Sequence, residues 1–149
     1  VRELRPGVPV RDGELEILPV RASHAPKECA LNFLLSGRDE SRILIANDTG
    51  WWPEESWELL RGRRLDVAVI EISMGIRMPY AEERGFHLGA KAAIAFRDRL
   101  AELGAVTAST QVAVTHISHH VGATHEELEA YFRPYGMLVG YDGMLLGRA

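Results

Sequence analysis

Three short apolar runs of this chain each give way to a residue that can bind a metal. Leu15 to Arg21 leads into Ser23-His24, Arg42 to Ala46 into Asn47-Asp48, and Val112 to Thr115 into His116. Two imidazoles and a carboxylate make a partial ligand set for zinc or another first-row metal, and the carboxylate can bridge two ions. Taken singly, each residue has a plainer reading. A histidine that ends a strand is more commonly hydrogen-bonded structure, and Asp48 in Asn-Asp-Thr-Gly also suits a turn or a helix cap. The coincidence is the informative part. Strands that end at one edge of a sheet project their last side chains into a shared crevice, where layered α/β folds bind ligands.

Histidine is also concentrated: His116, His119, His120 and His125 fall within about ten residues. They follow too closely for all to face one place. His116 leaves its strand first, and His119 and His120 lie in the loop beyond, one either supporting the ligands from behind or facing substrate and the other, read as His120, solvated. His125 opens a helix behind a capping threonine and reads as surface.

The elements that must position these groups follow from periodicity. Val8 to Arg11, Leu15 to Arg21, Ala30 to Leu35 and Arg42 to Ala46 read as strands, with Asp12-Gly13 as a two-residue hairpin turn. Strand and helix then alternate, the signature of a layered α/β domain. Pro53, Glu54 and Glu55 open a helix to about Arg61, proline and carboxylates suiting its first turn. Leu65 to Ile72 is apolar nearly throughout, as in a strand covered on both faces. Gly89 to Leu103 carries apolar residues at helical spacing and stops at Gly104. Val112 to Thr115 is a further strand, and Thr124 with Glu127 forms a capping box for a helix that Pro134 ends. Met137 to Gly140 and Met144 to Leu146 read as closing strands around Tyr141-Asp142-Gly143. The irregular stretch from Ser73 to Phe86 is a candidate lid.

Composition narrows the partners. Seventeen basic residues against twenty-one acidic ones argue against broad nucleic-acid binding, which needs clustered Lys and Arg, and leave room only for a small basic patch. The apolar runs are far short of the roughly 20 residues that span a bilayer, so no membrane partner is expected. A single cysteine, Cys29, forms no internal disulfide, which points to a reducing compartment and the cytoplasm.

Four ordered blocks carry a family resemblance: Ser-His-Ala-Pro-Lys-Glu-Cys-Ala-Leu-Asn-Phe-Leu at 23–34, Ala-Asn-Asp-Thr-Gly at 46–50, Thr-His-Ile-Ser-His at 115–119 and Tyr-Asp-Gly-Met at 141–144. They resemble the second half of metallo-β-lactamase-fold hydrolases. The nearest branch is that of the phosphoribosyl cyclic phosphate phosphodiesterases, with tRNase Z more distant. The resemblance implies an α/β chain forming the C-terminal half of an αββα sandwich, a mixed sheet with helices on its outer face. It implies that His24, Asp48 and His116 are metal ligands, Asp48 bridging, and that the complete fold holds two divalent ions, zinc or manganese. His87, in Gly-Phe-His-Leu-Gly, matches a histidine that handles substrate or protonates the leaving group, although a loop histidine capping the next helix is an equal reading. His119 would face the same mouth. Glu71 ends a strand where relatives carry aspartate, either joining the network behind the ligands or capped by solvent. The family's first-half hallmark, His-x-His-x-Asp-His, does not occur here. Residues 1–149 are therefore expected to be a single domain or fragment lacking the half that holds most ligands, and weak or inactive by themselves.

The activity implied for the parent protein is metal-assisted hydrolysis of a small or cyclic phosphodiester, with ions about 3.5 to 4 Å apart activating water. His87 or His119 would donate a proton to the leaving alkoxide. Trp51 and Trp52 would wall the pocket or stack on a substrate ring, though tryptophans are more commonly core. Thiolester and β-lactam substrates stay open, because the loops of this fold vary most. The alternative is a non-catalytic half-fold, an assembly module that associates with itself or with a complementing N-terminal half through an open sheet face.

Overall fold

A computed structural model describes residues 3–25, 27–77 and 86–147. Seven strands form one mixed sheet in chain order: β1 (Val10–Asp12), β2 (Leu15–Arg21), β3 (Leu31–Ser36), β4 (Arg42–Ala46), β5 (Val67–Glu71), β6 (Gln111–Thr115) and β7 (Met137–Val139). Pairing is antiparallel from β1 to β4 and parallel from β4 to β7. Parallel neighbours need crossovers, and these carry the helices α1 (Glu54–Leu60), α2 (Ala90–Glu102) and α3 (His125–Phe132).

Alternation along each strand sorts its side chains onto two faces. Leu18, Leu34, Leu44, Ala68, Val112 and Met137 stand in one cross-sheet row, and all belong to the core beneath the helices. From α2 the core takes Ala90, Ala92, Ala93, Phe96 and Leu100, its alanines letting the helix approach the sheet closely. Trp51, Trp52, Trp57 and Phe96 pack as an aromatic group with ring centroids 4.5–6.0 Å apart.

The opposite face is also apolar. Pro19, Phe33, Ile45, Val69, Ala113 and Leu138 share a row, yet none joins the helix-covered core. Neighbouring Ile43 and Leu138 are 36% and 41% exposed. This is a sheet with helices on one side.

Local differences from the sequence reading have physical causes. Strand β1 begins at Val10, and Asp12 pairs with Leu15, so the hairpin turn is Gly13-Glu14. Gly13 has φ 58° and Glu14 is not among the positive-φ residues, which makes this a turn with glycine at its first central position. Met144 to Leu146 forms no strand: Gly143 at φ 87° turns the chain away, and Leu145 is 95% exposed. Elsewhere the stop and start signals act as expected. Gly104 at φ 73° follows α2, and Thr124 with Glu127 makes a capping box on α3. Of the candidate lid, Ser73 to Arg77 turns beneath the 119–121 helical turn, and residues 78–85 lie outside the described residues.

Candidate metal centre

Strand direction gathers the site. Strands β4, β5 and β6 run parallel, and β2, antiparallel to a strand that is itself antiparallel to β4, runs the same way. The segments leaving these strands therefore meet at one edge, where they carry His24, Asp48, Glu71 and His116. His87 reaches the same edge from the approach to α2. Together Asp48, Glu71, His87 and His116 offer nitrogen and oxygen atoms all within 4.8 Å of one another.

Asp48 is the centre of the exposed part. Its Oδ1 lies 3.0 Å from His116 Nε2, with His87 Nδ1 3.7 Å and His24 Nδ1 4.0 Å away. Asp48 and His116 both hold left-handed backbone, φ 47° and 54°. Such strain persists in non-glycine residues only where the surroundings over-determine it, and it concentrates at functional sites.

Glu71 is the buried part, with no side-chain exposure. Its Oε1 accepts from the amides of Thr49 at 2.6 Å and Gly50 at 3.2 Å, directly after Asp48. Its Oε2 accepts from Ser73 Oγ and, at 2.7 Å, from His87 Nδ1. Four donors saturate this carboxylate, so its charge is solvated by the protein itself. It therefore holds the Asp48 loop and His87 from beneath. With Nδ1 donating to Glu71, His87 presents Nε2 as its free nitrogen, the orientation a carboxylate partner imposes on an imidazole. His24 is oriented in the same manner, its Nδ1 donating to the Phe86 carbonyl at 3.0 Å, and its ring meets that of His87 edge-on at 4.6 Å.

Above these groups opens a cleft of about 410 Å³ lined by Ser73, Met74, His87, His116, Ile117 and Ser118. The donor set fits a divalent first-row ion: imidazole nitrogens and a carboxylate oxygen converge, are partly exposed, and leave room for further ligands and water.

The structure thus brings together His24, Asp48, His87 and His116. His119 is exposed on the one-turn helix His119–Val121 and stands outside both the cluster and the cleft lining. Trp52 departs from its expected place against substrate: it is 2% exposed, and its indole donates to Asn32 Oδ1 at 2.7 Å inside the core. Trp51 leans on Trp57 and Phe96 beside it. In the loop between β4 and α1, Trp52 belongs to the core and Trp51 packs, partly buried, against it. His125 pairs with Glu129 at 3.4 Å on α3. The hub role of Glu71 had only a faint signal in the sequence, an acid closing an otherwise apolar run, with solvent capping as the rival. Complete burial removes that rival.

No protein-family model and no curated protein matches the chain. Solved structures do. YhfI, a metallo-β-lactamase fold protein from Bacillus subtilis, superposes with a TM-score of 0.67 at 16% identity, covering 95% of this chain and 53% of that one. A diphosphatase from the PhnP family gives a TM-score of 0.64 at 21% identity, covering 93% and 45%. The short form of human tRNase Z gives 0.57 at 16%, covering 91% and 44%. The chain has the metallo-β-lactamase fold, as its four sequence blocks imply, and spans about half the length of the solved structures it matches.

Proposed function

We propose that this chain supplies the C-terminal half of the active site of a metal-dependent hydrolase whose substrate is a small or cyclic phosphodiester. The observation that carries this reading is the convergence of Asp48, His116 and His87 over the saturated Glu71 carboxylate, at the open edge of the sheet. The fold it shares with a diphosphatase supports a phosphorus ester over a carbon one.

In this reading His24, Asp48 and His116 hold divalent metal, zinc or manganese, with further ligands coming from a complementary half. The ion supplies Lewis-acid activation of water and of the phosphoryl oxygens. Asp48 sets the spacing of the ligands. His87, protonated at Nε2, delivers a proton to the departing alkoxide, and the Glu71 carboxylate stabilises its imidazolium and fixes its aim. Ile117 and Ser118 form the wall of the cleft beside His116. Cys29 is a free, exposed thiol, which suits a reducing cytoplasm. Among the described residues no helix is long and apolar enough to cross a membrane.

The test is hydrolysis of a chromogenic phosphodiester by the full-length protein loaded with zinc or manganese. Asp48→Ala is expected to lose at least about 100-fold in kcat/KM; unchanged activity overturns the assignment. The uncovered apolar face around Ile45, Ile43 and Leu138 favours a second reading, an assembly module without catalysis. A metal-free oligomer in sedimentation and metal analysis would support it, and stoichiometric metal would count against it.

A further inference from the structure

The two left-handed residues of the site, Asp48 and His116, each follow a residue whose side chain is bonded to the other's: Thr115 Oγ1 donates to Asn47 Oδ1 at 3.1 Å. Asn47 is held in turn from the core. Asn32, 1% exposed on β3, donates through Nδ2 to the Asn47 carbonyl at 2.8 Å. Its Oδ1 accepts from Thr49 Oγ1 at 2.6 Å and from the Trp52 indole at 2.7 Å. An amide in an apolar layer is tolerated only when hydrogen-bonded. Among the described residues, the hydrogen bonds of the Asn32 side chain all go to the one loop, bracketing Asp48 on both sides.

Thr115 has its own support. Gly140, just past β7, donates its amide to the Val114 carbonyl at 2.8 Å, and a Cβ there would stand 2.7 Å from Thr115 Cγ2. Glycine at 140 is what lets the chain cross so near that side chain.

We infer that Asn32, Asn47 and Thr115 form a positioning chain that sets Asp48 against His116 before any metal arrives. None of the three is itself a cleft-lining residue or a member of the candidate ligand group. They act on the backbone that presents the ligands, Thr115 from beside Glu71 as its cross-strand partner and Asn32 from β3 through the Asp48 loop. For its metal-affinity arm this inference rests on the function proposed above; the geometry of the metal-free chain tests it separately.

The experiment is a double-mutant cycle of Thr115→Val and Asn47→Ala, with Thr115→Ser as the conservative variant. Backbone resonances of Asp48 and His116 are read in the metal-free chain, zinc affinity by calorimetry, and folding by the thermal midpoint. Both single variants and the double are each expected to shift the Asp48 and His116 resonances and to weaken zinc binding by about tenfold. The double should be no worse than either single, because one bond is lost in all three. Thr115→Ser should restore both readouts. Resonances and affinity unchanged in a folded Thr115→Val overturn the positioning role, as do effects that simply add. Zinc affinity is read in the full-length protein: if the unsubstituted protein binds no zinc, the metal reading falls, while displaced or undisturbed resonances still decide this one.

Discussion

His116 Nε2 stands 3.0 Å from Asp48 Oδ1, and each residue reaches that contact through a left-handed backbone, φ 54° and 47°. This conformation costs an alanine-like residue about 1–2 kcal/mol and glycine almost nothing. Asp48→Gly and Asp48→Ala delete the same carboxylate but differ in backbone strain. The glycine variant should therefore be the more stable by about 1 kcal/mol in urea unfolding, while both lose metal binding. Equal stabilities would mean that the turn carries no strain.

Glu71 accepts four hydrogen bonds on two oxygens, and only a carboxylate can do that. Glu71→Gln replaces one acceptor oxygen with an amide that must face a donor. If the amide turns toward His87, Ser73 can rotate its hydroxyl to accept, but His87 keeps its Nδ1 contact only by moving its proton to Nε2 and accepting at Nδ1; if it turns toward the loop, the Thr49 and Gly50 amides lose their acceptor. The expected cost is about 1–3 kcal/mol in denaturant unfolding, together with a changed imidazole environment for His87 by NMR. A variant with native stability and an undisturbed His87 would show that the carboxylate is dispensable.

How much of this was readable beforehand depends on the range of the interaction. β2 and β4 have the predicted bounds, and Gly104 and the Thr124 capping box end and start their helices as expected, because these signals act over a few residues. The gathering of His24, Asp48 and His116 at one edge was also readable, since strand-end position and chain direction suffice. The hairpin turn shifted by one residue because only cross-strand pairing of Asp12 with Leu15 fixes register. Met144 to Leu146 is apolar enough for a strand, but pairing decides, and this segment joins no ladder. The bonds of Glu71 to residues 21 and 22 positions earlier, and the burial of Trp52 against Asn32, are long-range packing that no local pattern encodes.

Trp52 provides a clean test of core against substrate contact. Its indole N–H donates to Asn32, and its ring packs 4.7 Å from Phe96 and 4.9 Å from Trp57. Trp52→Phe keeps most of the ring contact and loses the donor, leaving Asn32 with Thr49 alone on that oxygen. Stability should fall by about 1–3 kcal/mol, and KM for a phosphodiester should stay within about twofold of the parent protein's. A large KM increase at native stability would restore the substrate role.

Gly75 lies where the turn after β5 presses on the 119–121 helical turn, beside the cleft. It has φ 61°, and a Cβ there would stand 2.3 Å from Val121 Cγ1, a residue that is itself 4% exposed. Gly75→Ala therefore carries two penalties, backbone strain of about 1 kcal/mol and an overlap costing about 1–3 kcal/mol more. Val121→Ala removes the two nearest atoms in conflict, Cγ1 and Cγ2, and leaves its own Cβ 2.9 Å away. Alone it should destabilise through the vacated space, yet combined with Gly75→Ala it should recover most of the overlap and none of the strain. A double-mutant cycle in urea should thus show favourable coupling of about 1–2 kcal/mol between the two sites. Strict additivity would mean that the helical turn moves aside freely, in which case the wall of the cleft bearing Ile117 and Ser118 is adjustable instead of fixed.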